Sequence, residues 1–473
     1  MTRRPYTPHP YQVLATEHLL NVPRCHLWAG MGMGKTVSTL TALDILFFSG
    51  EQTRPALVLA PKRVAKNVWP AEAAKWDHLT DISVSPVIGT EPERIAALNR
   101  DMSVYTINYD NLPWLMDHFD QPGKSWPFGN VIPDESTRLK GMRASTQVSV
   151  TGKQFVRSSG AKRARQLARV AHTKVERWTN LSGTPAPNGL TDLWGQTWFL
   201  DAGQRLGRTF EGFRNRWFQK GFNGYDVTPL PFAAEQIHDR LRDVSLSLRA
   251  EDWFDIQKPI VRPVYVDLPA KARELYRSME RELFMQIGEH EVEAFNAAAK
   301  SQKCLQLASG AVYVDKEHHW KKVHDEKLDA LESIVAEAAG MPILVSYQWK
   351  HDAARILEAF PKARLLDDEK QTEDDWNAGK IPMLVAHPKS CGHGLSLQDG
   401  GNILAYFSDW WDFELHDQIL ERIGVVRQLQ SGHKRPVWVY PIIARDTIDE
   451  LVLLRHETKR GVQDLLLEAM RKA

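Results

Sequence analysis

Short apolar runs alternate with longer amphipathic stretches through residues 1–200. CHLW (25–28), ALVLA (56–60), SVYTI (103–107), NVI (130–132) and TNLS (179–182) are too short for helices and predict strands. VSTLTALDILFF (37–48) and VAKNVWPAEAAKW (64–76) lie between them and predict helices. Strands that alternate with helices predict a parallel sheet covered on both faces. The rhythm returns in ILVS (343–346), MLVA (383–386), NILAYF (402–407) and VWVYP (437–441), which predicts a second α/β unit of similar build.

The texture differs between these two regions. RLGRTFEGFRNRWFQK (205–220) sets Phe210, Phe213 and Trp217 on one helical face among arginines. A helix that buries its aromatics and solvates its arginines explains the pattern better than base stacking does. GFNGYDVTPLP (221–231) predicts a loop and KARELYRSMERELFMQI (271–287) an amphipathic helix. The expected division is therefore a first α/β lobe over 1–200, a mostly helical insert and connection over 201–325, and a second α/β lobe over 326–473.

At 473 residues the chain is too long for one ordinary core. Its three cysteines, Cys25, Cys304 and Cys391, form no CxxC pair, so neither a disulfide framework nor a zinc site is expected. No apolar stretch approaches the ~20 residues that span a bilayer, and MTRRPYTPHPYQ at the start has no apolar run, so a cytoplasmic protein is expected. The net charge is only +1, but it is unevenly spread. From Thr137 to Trp178 eleven Lys/Arg stand against one acid, Glu176. Such a tract fits a phosphate-backbone footprint or a solvated loop and helix face.

WAGMGMGKT (28–36) poses the chemical question. Glycines this dense suit neither helix nor strand interiors. Between a strand and a helix, however, they let backbone N–H groups turn around phosphate oxygens at a positive helix terminus. In that reading Lys35 neutralises β- and γ-phosphate charge and the Thr36 hydroxyl holds Mg²⁺. DEST (134–137) follows the run NVI, where Asp134 would hold the same ion and Glu135 would polarise the attacking water. Pro133 lacks an N–H and sits directly before Asp134, so it predicts an early strand end or a strained site.

In order along the chain, these and further segments resemble the motifs of the helicase superfamily two ATPases of the Swi/Snf branch, in their compact phage-encoded form. The segments are Gln12 in HPYQ, GMGKT (32–36), LVLAPKRVAKNVWPAEAAKW (57–76), YTINYDNL (105–112), DESTRLK (134–140), LSGTPAPNG (181–189), ILVSYQ (343–348), SCGHGLSLQDGGNILAYFSDWW (390–411), QILERIGVVRQ (418–428) and a closing helix within 447–470.

The resemblance implies two RecA-like lobes with a helical insert that bind ATP and Mg²⁺ and move along double-stranded DNA. It implies ATP contacts from Gln12, Gly32, Gly34, Lys35, Thr36, Gly394 and Gln418, and metal contacts from Thr36 and Asp134. Catalysis would fall to Lys35, Asp134, Glu135, Arg422 and Arg427, the last two as arginine fingers. DNA contact or coupling would fall to Lys62, Arg138, Lys140, Ser182, Thr184 and Trp411. Arg422 and Arg427 are spaced more widely than is usual in the family, and His393 interrupts a glycine run. A monomer without a membrane partner is expected. Two rivals remain open: a strand-separating helicase on single-stranded DNA or RNA, and a nucleotide-dependent DNA-binding module with little turnover.

Overall fold

Two seven-stranded parallel sheets organise the chain in the computed structural model. It describes residues 3–30, 32–148, 154–183, 185–186, 189–220, 227–249, 252–253, 258–288, 301–315, 317–367, 369–391 and 395–458. The first sheet runs β11-β1-β8-β5-β2-β4-β3. Its strands are β1 (Arg24–Ala29), β2 (Ala56–Ala60), β3 (Val84–Pro86), β4 (Val104–Asn108), β5 (Asn130–Pro133), β8 (Arg177–Ser182) and β11 (Ser245–Leu248). Two antiparallel pairs stand outside it: β6 (Met142–Val148) with β7 (Gln154–Gly160), and β9 (Phe218–Lys220) with β10 (Val227–Pro229).

The second sheet runs β12-β20-β19-β16-β18-β17, with β13 also on β20. It comprises β12 (Ile260–Val261), β13 (Val264–Val266), β16 (Ile343–Ser346), β17 (Ala363–Leu365), β18 (Met383–Ala386), β19 (Ile403–Tyr406) and β20 (Trp438–Ala444). A separate hairpin joins β14 (Ala311–Tyr313) to β15 (Trp320–Lys322).

Every residue of β2, β4, β5, β16, β18 and β19 is buried. Helices cover both faces of such strands, which is why they read as unbroken apolar runs rather than alternating ones. Both parallel sheets therefore follow the expected α/β class. The short edge strands β3, β11, β12, β13 and β17 carry no comparable run.

The chain divides into two units, Met1–Phe254 and Asp255–Ala473. Residues 201–325 are shared between them: β11 pairs with β1 in the first sheet, and β12 and β13 pair with β20 in the second. Among its described residues, helices stand beside edge strands that find partners in each sheet. Its helices include Phe210–Trp217, Ala233–Leu241, Ala270–Gly288 and Gln302–Ser309. Phe213 and Trp217 are fully buried as their spacing predicts, and the Arg143 guanidinium lies 3.8 Å from the centre of the Phe210 ring.

Pro133 does not end its strand early. Leu59 pairs with Pro133, and the Asp134 N–H donates to Leu59 O at 2.7 Å. Because successive N–H groups point to opposite sides of a strand, the missing donor of Pro133 falls on the β8 side. There the ladder pairs Asn130 with Arg177 and Val131 with Trp178, skips two residues, and resumes at Asp134 and Leu181 in the same register.

Candidate functional site

In the first unit the expected nucleotide residues gather at the C-terminal edge of the sheet, where open α/β folds bind ligands. Register does this directly. Trp28, just before the glycine loop, pairs with Ser182 at the end of β8, and the neighbouring Leu181 pairs with Asp134 at the end of β5. Gly32 and Gly34 take φ of 81° and 72°. A side chain at Gly34 would also meet Gln12 Nε2 at 2.2 Å, so the loop and the Gln12 amide are in direct contact. Gln12 Oε1 accepts from the His9 N–H at 2.9 Å, which fixes the start of the Pro10–Asn21 helix. Lys35 opens the Lys35–Phe48 helix, and its Nζ donates to Ala29 O at 2.6 Å and Gly30 O at 3.1 Å. Thr36, half-buried, is next on that helix.

Asp134 and Glu135 are both buried. Trp69 Nε1 donates to Asp134 Oδ2 at 3.1 Å. The Tyr109 hydroxyl donates to Asp134 O at 2.9 Å and to Glu135 O at 3.3 Å. Burial, reinforced by the nearby Asp134 charge, raises the Tyr109 phenol well above its usual range and keeps it a donor. Glu135 lies at φ 63°, ψ 57°, a left-handed conformation that costs a side-chain-bearing residue about 1–2 kcal/mol. Strain of this kind persists where surrounding contacts over-determine the backbone, as the two Tyr109 hydrogen bonds do here.

Ser136 Oγ donates to Gln196 Oε1 at 2.6 Å, and Gln196 Nε2 donates to Pro185 O at 2.7 Å and Asp192 O at 3.0 Å. Behind it, Asn180 Nδ2 donates to Gln196 O at 3.0 Å and lies 3.2 Å from His26 Nδ1. Burial pushes His26 down to about 3, so it is neutral, and its Nε2 meets Thr197 Oγ1 at 3.1 Å.

Sequence reasoning missed Trp69, Tyr109 and Gln196. Trp69 and Tyr109 stand inside recognised segments, but nothing local shows where their side chains point. Gln196 did leave a signal, as a lone amide in the apolar run LWGQTWFL (193–200).

The expected DNA contacts fare unevenly. Lys62 and Arg138 are exposed, with the Arg138 guanidinium 5.7 Å from the centre of the Tyr109 ring. Lys140 Nζ pairs with Asp192 Oδ2 at 3.4 Å. Ser182 is fully buried, and Thr184 lies outside the described residues. Within the basic tract, Arg163 pairs with Asp110, Arg169 pairs with Asp120 at 2.8 Å, and Arg177 caps Leu19 O and Leu20 O. Part of that charge is thus structural, while Lys162, Arg165 and Lys174 are exposed.

In the second unit Arg422 is fully buried on the Phe413–Ile423 helix, and Gln418 on the same helix donates to Glu414 Oε1 at 3.2 Å. Arg427 donates to Leu395 O at 2.9 Å and Ser396 Oγ at 3.3 Å. Burial, with Arg422 as a second cause, lowers Arg427 to about 9, which still leaves it charged at neutral pH. Gly394 and His393 lie outside the described residues. Trp411 departs from expectation. It is buried in a core with Tyr276, Leu305 and Val452, and its Nε1 donates to Ser301 Oγ at 2.7 Å. Both its face and its polar edge are used inside the protein, so it packs the core rather than presenting itself to DNA.

Asp409, His416 and His456 bring ligand-type atoms within 4.8 Å of one another. The rings of His416 and His456 are stacked at 4.1 Å and 17°, so their in-plane lone pairs do not converge. Asp409 Oδ2 lies 2.6 Å from His416 Nδ1, a hydrogen-bond distance, whereas tetrahedral zinc holds its ligand atoms about 3.3 Å apart. The cluster is a hydrogen-bonded stack, continued by Tyr406 on His416 at 4.2 Å.

The glycine loop after β1, a lysine opening the next helix and an acidic pair after β5 define a P-loop α/β protein with a second parallel-sheet unit. The SNF2-related domain family matches residues 14–324, and the chain belongs to that family. It is 56% identical to protein p41 of Acyrthosiphon pisum secondary endosymbiont phage 1, over 99% of both chains. It is 22% identical to the ISWI chromatin-remodeling complex ATPase ISW1 of Saccharomyces cerevisiae, over 98% of this chain and 41% of that protein. It is also 22% identical to Chromodomain-helicase-DNA-binding protein 1-like of Danio rerio, over 97% of this chain and 44% of that protein. The chain thus spans less than half the length of these two eukaryotic relatives. A solved structure, the Sulfolobus solfataricus SWI2/SNF2 ATPase core in complex with dsDNA, aligns over 99% of this chain and 97% of that one, at 19% identity and a TM-score of 0.42.

Proposed function

We propose that this protein hydrolyses ATP and uses the cycle to move along duplex DNA. The observation that carries the reading is the row at the C-terminal edge of the first sheet: the glycine loop and Lys35 after β1, Ser182 ending β8 and Asp134 after β5, held in one register. In this reading the N–H groups of the loop and of the Lys35–Phe48 helix cradle the phosphates. Lys35 exchanges its carbonyl partners for phosphate oxygens, and the Gln12 amide reads the base. Thr36 and Asp134 suit Mg²⁺ because both offer hard oxygen ligands. The ion would supply charge neutralisation on the phosphates. Glu135 orients the water, and Arg422 and Arg427 stabilise charge in the transition state.

Lys62, Arg138 and the exposed cations of the Thr137–Trp178 tract supply the phosphate-backbone contacts, and membership of the SNF2-related domain family supports duplex DNA as the track. Among the described residues no helix is long and apolar enough to cross a membrane.

The test is steady-state ATP hydrolysis without nucleic acid and with single-stranded DNA, duplex DNA or RNA. Duplex DNA should stimulate most, with a steep loss as salt rises, and Lys35→Ala should abolish turnover. Stimulation by single strands or RNA alone would point to a strand-separating helicase instead. No turnover under any condition would leave a nucleotide-dependent binding module.

A further inference from the structure

We propose that Gln196 is a positioning residue that couples the Asp134–Thr137 segment to the loop following β8. The proposal rests on the ATPase reading above. Gln196 is fully buried, and its one amide makes bonds in two directions. Its oxygen accepts from Ser136, two residues past Asp134, and its nitrogen donates to Pro185 O, three residues past Ser182. A displacement of the acidic segment therefore reaches the β8 loop through a single side chain.

Two further observations make this link stiff. Gly195 lets the Asp192–Asp201 helix lie directly against the turn that follows the acidic segment, since a Cβ there would stand 2.6 Å from Lys140 O. At the other end of the same helix Arg24 donates to Phe199 O and Leu200 O at 2.7 and 2.9 Å, and to Ala171 O and Val175 O at 2.8 and 2.9 Å. The helix is thus pinned at its C-terminal end and touches both segments at its N-terminal end. An apolar side chain at this position would fill the space but carry no bond in either direction.

The test compares wild type with Gln196→Met, which keeps length and volume, and with Ser136→Ala, which removes the other partner should the first variant fold poorly. Hydrogen exchange at the Arg138 and Lys140 amides and at the Gly183, Ala186 and Gly189 amides is followed with and without a non-hydrolysable ATP analogue. In wild type both groups should respond. In either variant the acidic segment should still respond, while the response at Gly183, Ala186 and Gly189 falls by about tenfold, the weight of one buried hydrogen bond. Combining the two substitutions should add nothing beyond Gln196→Met alone, because the Ser136–Gln196 bond that Ser136→Ala removes is already lost in it. A merely structural glutamine would lower the melting temperature and leave both responses intact, which would overturn the coupling alone. If neither group responds in wild type, the ATPase reading fails and takes the proposal with it.

Discussion

Each unit places an aspartate just past the C-terminal end of a strand, and the two are held in opposite ways. Asp134 follows β5 and receives neutral donors: the Trp69 indole on its carboxylate and the Tyr109 hydroxyl on its carbonyl. Asp409 follows β19 and meets the edges of two stacked imidazoles, 2.6 Å from His416 Nδ1 and 3.3 Å from His456 Nε2. Burial alone would raise the Asp409 carboxyl. The charges and hydrogen bonds of His416 and His456 outweigh it and hold the group well below the usual carboxylate range. The Asp134 carboxylate accepts from the Trp69 indole instead. The same residue type at comparable places in two parallel sheets thus takes an indole donor in one unit and imidazole neighbours in the other.

The strongest way to break this contrast is to neutralise each aspartate. Asp134→Asn keeps an oxygen for Trp69 but loses the charge proposed to hold Mg²⁺. Turnover should fall by about 10³-fold or more with little change in melting temperature. If hydrolysis survives, Asp134 is not the metal ligand.

Asp409→Asn should do the reverse. It leaves two imidazoles without their anion and should cost about 3 kcal/mol of stability, while the folded fraction keeps its turnover per molecule. The sign with pH follows from the depressed carboxyl. Its stabilisation is present above the unfolded value of about 4 and is lost as pH falls towards the folded one. The melting-temperature gap between wild type and Asp409→Asn should therefore narrow on acidification below pH ~4; a constant gap would mean the charge is not what stabilises.

Glu135 sharpens the contrast from the backbone side. Glycine carries no penalty in the left-handed region, so Glu135→Gly should raise stability by up to about 1 kcal/mol while removing turnover. A less stable variant would show that the buried side chain contributes more than its conformation costs; denaturant titration decides. The smallest expected effect concerns the thiols. Burial pushes Cys25 and Cys304 up to about 12, so native protein should resist alkylation at pH 8 at both positions and react only on unfolding. Peptide mapping after a timed pulse reads this directly.

Sequence alone determined the elements whose environment is uniform along their length. β2, β5, β16, β18 and β19 are buried on both faces, so each announces itself as an apolar run, and the order of those runs with the intervening helices gives two parallel sheets. It also determined where the glycine loop stands, between β1 and the Lys35–Phe48 helix, with Gly34 at a positive φ. Tertiary structure alone decided what depends on partners distant in the chain. The edge strands β11, β12 and β13 exist because a neighbouring strand offers hydrogen bonds, and they divide residues 201–325 between two units. Pro133 stays in its strand because its missing donor falls where the β8 ladder skips. Trp411 turns inward to Ser301, 110 residues away, and Trp69 turns to Asp134 across 65. Local pattern encodes whether a residue is buried. Which group it meets there is set by the packing of elements that only the folded chain brings together.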